Sequence, residues 1–204
     1  MLTWVRTIGW LACVVYSTIP AFWLVIHTRI EYWRSRGRLP YSIIVPGWMA
    51  LWVAMALITA RWRQVALYRA WWMWGPALGL FLVGVWLYRA SGVNFGREQL
   101  YGLSELKAGG AEQRLVTSGI RTRVRHPVYL AHLCEMLAWS VGTGLAACYG
   151  LTAFAVVTGA VMIRKEDEEL ERRFGEEYRA YQARVPAAIP KVGAKGGLQS
   201  QRES

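Results

Sequence analysis

The chain has 204 residues, of which 54% are hydrophobic, 18% are charged and 12 are Trp. That length suits one domain, and the apolar residues come in long blocks rather than in the short stripes of a soluble fold. The formal net charge of +11 would suit a nucleic-acid binder, but its distribution along the chain is that of a membrane topology signal, which excludes that class.

In chain order, residues 8–26, 41–60 and 71–88 form runs of 19, 20 and 18 residues without a formal charge. A hydrocarbon core about 30 Å thick takes about 20 apolar residues as helix, so each run predicts one span. The first run is long for a signal-peptide core and lacks a small-x-small cleavage site, so it reads as a retained span. Residues 129–163 carry only Glu135 and His132 as ionisable side chains of acid or base character. This stretch is too long for one span and predicts two, joined by a tight turn near Gly142-Thr143-Gly144. The expected fold class is therefore all-α: a polytopic integral membrane helical bundle of about five transmembrane helices, followed by an amphipathic cytoplasmic helix. With residues 27–40, 89–127 and 164–204 in the cytoplasm, twenty Lys and Arg lie on that side and four on the other. That asymmetry is the positive-inside rule, and it gives the surplus charge an attraction to anionic membrane lipid as well.

Residues 1–88 read as a three-span scaffold, 89–190 as the region that builds a site, and 191–204 as a loose tail. Within the site region, residues 89–124 are rich in glycine yet carry Val93, Phe95, Leu100, Tyr101, Leu103 and Leu106. These argue for a segment folded on the membrane face of the bundle rather than a disordered one. Farther on, Leu170, Phe174, Tyr178, Tyr181 and Val185 fall at steps of 4, 4, 3 and 4, a single helical stripe over residues 165–185. Glu168 with Arg172, and Glu169 with Arg173, are spaced as i,i+4 pairs. Pro186 stops the helix.

Three sets of residues carry chemical character. Arg125-His126-Pro127 stands where the loop meets the fourth span, with Pro127 in a first helical turn and Tyr129 just beyond; all of these also suit a plain interfacial anchor. His132 and Glu135 share a helix face at membrane depth, where an ionisable group normally meets a partner or a wet cavity. They read equally as a mutual pair or as the lining of a substrate cavity. Glu166-Asp167, beside Arg164, sits just past the fifth span, where acids would also complement a helix N-terminus. The hairpin brings this acidic pair back to the level of Arg125-His126. Cys13, Cys134 and Cys148 lie in apolar spans and read as small hydrophobes; no metal-ligand spacing is present, and no metal is expected.

Taken together, Leu115-Val116-Thr117-Ser118-Gly119, then Arg125-His126-Pro127-x-Tyr129, then Glu166-Asp167-x-x-Leu170-x-x-x-Phe174-Gly175-Glu176-Glu177-Tyr178-x-x-Tyr181-x-x-Arg184-Val185-Pro186-x-x-Ile189-Pro190, resemble the isoprenylcysteine carboxyl methyltransferase family. The match covers about residues 113–190, with three motifs in the family's order. A more distant likeness extends to phospholipid methyltransferases and membrane sterol reductases. The resemblance implies an S-adenosyl-L-methionine-dependent methyltransferase acting on a lipophilic, prenylcysteine-like or lipid acceptor, through carboxyl O-methylation. It implies that Gln113, Arg114, Leu115, Val116, His126, Pro127, Val128, Tyr129 and Glu166 hold the cofactor. Arg125, with Arg164, would orient the acceptor's carboxylate. No GxGxxG follows a strand, so a soluble dinucleotide-type methyltransferase domain is not expected. Two positions depart from the family: Arg121 stands where a tyrosine is common, and Met162 where an arginine touches the substrate. The competing readings are an NADPH-dependent membrane reductase of the sterol reductase type, and a non-catalytic membrane assembly or transport protein.

Overall fold

The computed structural model describes residues 2–36, 39–92 and 114–189. The glycine-rich segment up to residue 113, including Gln113, and the tail from 190 lie outside the described residues. The described chain is helical, with one isolated β-bridge. The helices are α1 (Leu2–Thr28), α2 (Ile30–Arg34), α3 (Leu39–Thr59), α4 (Trp74–Gly92), α5 (Pro127–Thr143), α6 (Ala146–Phe174) and α7 (Glu176–Arg184).

Four of them, α1, α3, α4 and α6, are long and apolar enough to cross a membrane. The 17 residues of α5 reach about 26 Å at 1.5 Å per residue, the short end of the spanning range, which brings the count to the expected five. Large apolar side chains such as Leu57 and Val157 are 72% and 64% exposed. On a soluble protein that would be a liability; around a membrane bundle it is the lipid face.

Helix α4 lies along α5 and α1 along α6, the α5–α6 hairpin closes between them, and α3 leans on α1. The central core joins Trp10, Cys13 and Val14 of α1 to Met136 of α5 and to Cys148, Leu151 and Ala155 of α6. Both of its cysteines are free and fully buried, the small-hydrophobe role expected of them. Two indoles tie α3 to α1 without spending backbone: Trp10 Nε1 donates to Thr59 Oγ1 at 2.9 Å and Trp48 Nε1 to Thr18 Oγ1 at 2.8 Å. In a lipid surround such polar atoms need a partner inside the protein.

The hairpin turn falls at Gly144, where φ is +66°. The loop between α3 and α4 grips that turn. Leu67 N–H donates to the Gly144 carbonyl at 2.8 Å, Ala146 N–H to Val65 at 2.9 Å, and the Tyr68 hydroxyl to the Val141 carbonyl at 2.8 Å.

The last element differs from the single helix expected over residues 165–185. Helix α6 runs unbroken out of the apolar span through Glu166 and Asp167 to Phe174, so the acidic pair lies within a helix rather than at the start of one. The chain then breaks at Gly175, whose φ of +56° and ψ of −129° lie where only glycine is comfortable. Helix α7 folds back from that point. The predicted stripe nevertheless faces inward on both sides of the break: Tyr178, Tyr181 and Val185 form a cluster packed against Leu115, Leu170 and Phe174. The expected i,i+4 pairing of Glu168 with Arg172 is replaced by Lys165 Nζ on Glu168 at 2.8 Å.

Candidate active site

Pro127 opens α5 with His126 as its N-cap residue, and the preceding turn Gly119–Thr122 carries the chain across the end of α4. Two backbone bonds then tie this junction to the chain beyond α7: Arg125 N–H donates to the Pro186 carbonyl and His126 N–H to that of Ala187, each at 2.9 Å. Tyr181 adds a third tie, its hydroxyl donating to the Arg121 carbonyl at 2.8 Å. The 60-residue separation between Arg125 and the end of α7 is thereby closed to hydrogen-bond distance.

Asp167 is the hub of what lies inside. Its carboxylate accepts from Arg125 Nη2 at 2.6 Å, from His126 Nε2 at 3.0 Å, from Gln182 Nε2 at 3.3 Å and from the Tyr178 hydroxyl. On the other side of the imidazole, Nδ1 stands 3.2 Å from Glu166 Oε2. His126 is thus held between two carboxylates. Burial works against its charge, but Glu166 and Asp167 outweigh that and raise its pKa to about 9. The ring is an imidazolium at neutral pH, and it is not available as a general base. Its contribution to stability is whole below the ordinary imidazole value of about 6.5 and is lost as pH rises through about 9.

Burial likewise opposes ionisation of the two acids, and the neighbouring cations overcome it. Asp167 is held down to about 2, by His126, Tyr178 and Arg125, and Glu166 is held below the usual carboxylate range by His126 and His27. Sharing a carboxylate raises the Tyr178 hydroxyl well above its ordinary value, after burial as the first cause. Two cations and two anions therefore sit together with no net charge, which is how a buried ionic cluster becomes tolerable.

One acceptor is left over. Glu166 Oε2 is buried and makes no hydrogen bond, its approach to His126 being ionic rather than aligned. With only that ionic neighbour, the oxygen keeps capacity to accept a further donor. The Tyr129 ring lies 5.8 Å from that of His126, Pro127 is buried, and Val128, Leu115 and Val116 are half-buried.

The remaining expected residues scatter. Arg114 and Arg164 are exposed. The guanidinium of Arg125 does not point at open space: Nη2 is on Asp167, and Nη1 donates to the carbonyls of Val185 at 2.6 Å and Gln182 at 3.2 Å. Its fork is spent on closing the chain. His132 and Glu135 lie deeper. His132 meets the rings of Tyr16 and Tyr88 at 5.3 and 5.6 Å, while Glu135 is buried with the Tyr16 hydroxyl on its carboxylate. They pair with neighbouring helices rather than with each other.

Residues not singled out from sequence as site residues are Asp167, Tyr178, Gln182 and His27. The sequence marks the first as half of the acidic pair that the hairpin returns to Arg125-His126, without a role of its own. Arg121, noted as a departure, is buried below the site, where burial lowers its pKa against the opposing pull of Tyr181 and Glu166. Among the described residues no group of His, Cys, Asp and Glu is arranged to hold a metal.

No family model and no solved structure matches the chain. Curated sequences do. The chain is 33% identical over 128 residues to Protein-S-isoprenylcysteine O-methyltransferase A of Arabidopsis thaliana, a match covering 60% of this chain and 61% of that protein. It is 37% identical over 94 residues to Protein-S-isoprenylcysteine O-methyltransferase of Rattus norvegicus, covering 41% of this chain and 30% of the relative. The protein of that name from Homo sapiens is 37% identical over 81 residues, covering 37% and 27%. The matches thus span about three fifths of the plant relative's length and under a third of the mammalian ones.

Proposed function

We propose that this chain, a relative of the protein-S-isoprenylcysteine O-methyltransferases, is an integral membrane S-adenosylmethionine-dependent methyltransferase acting on the carboxylate of a lipophilic acceptor. The observation that carries the reading is the convergence of Arg125-His126 with Glu166-Asp167 around one buried oxygen that no hydrogen bond fills, in a chain similar to four relatives named as protein-S-isoprenylcysteine O-methyltransferases.

S-adenosylmethionine supplies an electrophilic methyl on a sulfonium. A carboxylate attacks the methyl carbon, the carbon–sulfur bond breaks, and its electron pair stays on sulfur, so an ester and S-adenosylhomocysteine result and no proton moves. The chain therefore needs no general base, in keeping with an imidazolium at His126. Its work is orientation and exclusion of water. Glu166 Oε2 would accept from a hydroxyl or amine of the cofactor. Leu115, Val116, Pro127, Val128 and Tyr129, with Gln113 and Arg114, would hold the rest of it. Arg125, bound to Asp167, keeps α7 in place as a cover; Arg164 faces the exterior of α6, where an acceptor arrives.

Titration with S-adenosylhomocysteine tests this. Glu166→Ala and His126→Ala should each weaken binding by the equivalent of about 1–3 kcal/mol, roughly 5- to 150-fold, with helix content retained. Parental affinity in both variants would remove the site.

The site faces the cytoplasm in this reading, with the N-terminus outside. Ser35→Cys and Gln64→Cys sit on exposed positions at opposite ends of the bundle, and the native cysteines are buried. An impermeant maleimide applied to intact cells should label Gln64→Cys alone. Labelling of Ser35→Cys from outside would invert the topology.

A further inference from the structure

Beside the site, where α1 turns into α2, a cleft of about 620 Å³ opens between residues 27–32 and Glu169, Arg172 and Arg173 of α6. Its α1 side directly follows Ile26, and its α6 side lies six to ten residues beyond Ile163. Its floor is buried: His27 and Glu169 are 4% and 6% exposed, and His27 Nδ1 is 4.0 Å from Glu169 Oε2. Trp23 stacks on the His27 ring at 5.8 Å. His27 helps to lower the Glu166 pKa, so the floor of the cleft adjoins the back of the methyl site. The mouth carries Arg29 from the α1–α2 turn and Arg172 from α6, both exposed, and neither has an ion pair or side-chain hydrogen bond among the described residues. Glu31 shares the rim, and Arg173 lies over the Phe174 ring. Of the two arginines expected to hold an acceptor, Arg125 has both Nη atoms engaged within the chain, and Arg164 is exposed on α6.

We propose that this cleft seats the anionic head of a membrane-embedded amphiphile, a carboxylate or phosphate clamped between Arg29 and Arg172, with its tail in the bilayer. The inference rests on the methyltransferase reading only in naming that amphiphile as the methyl acceptor. Two unpaired guanidinium groups on facing walls suit a bidentate oxyanion. Glu31 and Glu169 limit the seat to a head small enough to avoid them.

The test uses the full chain in discs of zwitterionic phosphatidylcholine, titrated by calorimetry with N-acetyl-S-farnesylcysteine, with its methyl ester, and with dodecyl phosphate. The parent should bind the two anions, and the ester about tenfold more weakly or worse. The double variant Arg29→Gln/Arg172→Gln should lose about tenfold or more for the anions while melting at the parental temperature and keeping its affinity for S-adenosylhomocysteine. The Lys pair should recover part of the loss, since it restores charge but not the fork. Preference for the carboxylate identifies the head as the acceptor's, and preference for the phosphate as a phospholipid's. Equal binding by parent and Gln pair, equal binding of acid and ester, or no anion binding by the parent would each overturn the proposal. If the anions behave as stated and S-adenosylhomocysteine does not bind, the methyltransferase reading falls and the cleft stands.

Discussion

Asp167→Ala is expected to cost about 3–5 kcal/mol of stability, the usual loss when one member of a buried ionic cluster is removed. Four donors from two distant parts of the chain end on this one carboxylate. Without it, the Arg125 guanidinium keeps only backbone carbonyls, and Tyr178, 1% exposed, holds a buried hydroxyl with no acceptor. The damage should be local. Helix α7 is fastened by these bonds and by the Tyr181 and Pro186 ties, so it should detach while the membrane core stays assembled. Limited proteolysis reads this directly as new cleavage between residues 175 and 189, with α1–α6 intact. Asp167→Asn keeps the shape and two of the acceptor contacts and should lose less. Parental protease resistance in Asp167→Ala would show that α7 is held by its apolar cluster alone.

Gly144→Ala should be the most damaging single change at the opposite end of the bundle, at about 2–5 kcal/mol. A left-handed backbone costs a residue with a Cβ about 1–2 kcal/mol, and the new methyl would stand 2.6 Å from the Tyr68 carbonyl oxygen. Backbone cannot rotate aside as a side chain can, so the loop must lift off the turn, at a further overpacking cost of about 1–3 kcal/mol. The Leu67 and Ala146 bonds and the Tyr68 hydroxyl bond would be disturbed together. Gly150→Ala is the control: it lies in α6 with open space around it, and alanine there should be neutral or slightly stabilising. Thermal unfolding in detergent compares the two. Equal melting temperatures would mean that the loop does not grip the turn.

The spans and the hairpin were legible because a bilayer imposes length and composition on a helix before any packing is considered. The break at Gly175 was not. Steps of 4, 4, 3 and 4 record which side chains share a buried face, and they are the same whether the helix continues or folds back with that face inward. The clue was Gly175 itself, followed by Glu176 and Glu177. The meeting of Glu166-Asp167 with Arg125-His126 was legible from the hairpin, but the part of Asp167 as its hub was not. Its further partners lie at 178 and 182, on a helix whose fold-back no local spacing announced. Arg125 was legible as a special residue and illegible in its partner, since a guanidinium fits an internal carboxylate as well as a ligand's.

The long reach of that hub bears on how the protein is made. Segments made earlier fold earlier during synthesis, and here Arg125 and His126 precede the rest of the cluster by about 40 residues. Until α6 and α7 have left the ribosome, those two cations lack their carboxylates, and their backbone N–H groups have yet to meet Pro186 and Ala187. Insertion of the helices is thus separated in time from completion of the pocket. A nascent chain stalled between the two events would sit properly in the bilayer and bind nothing.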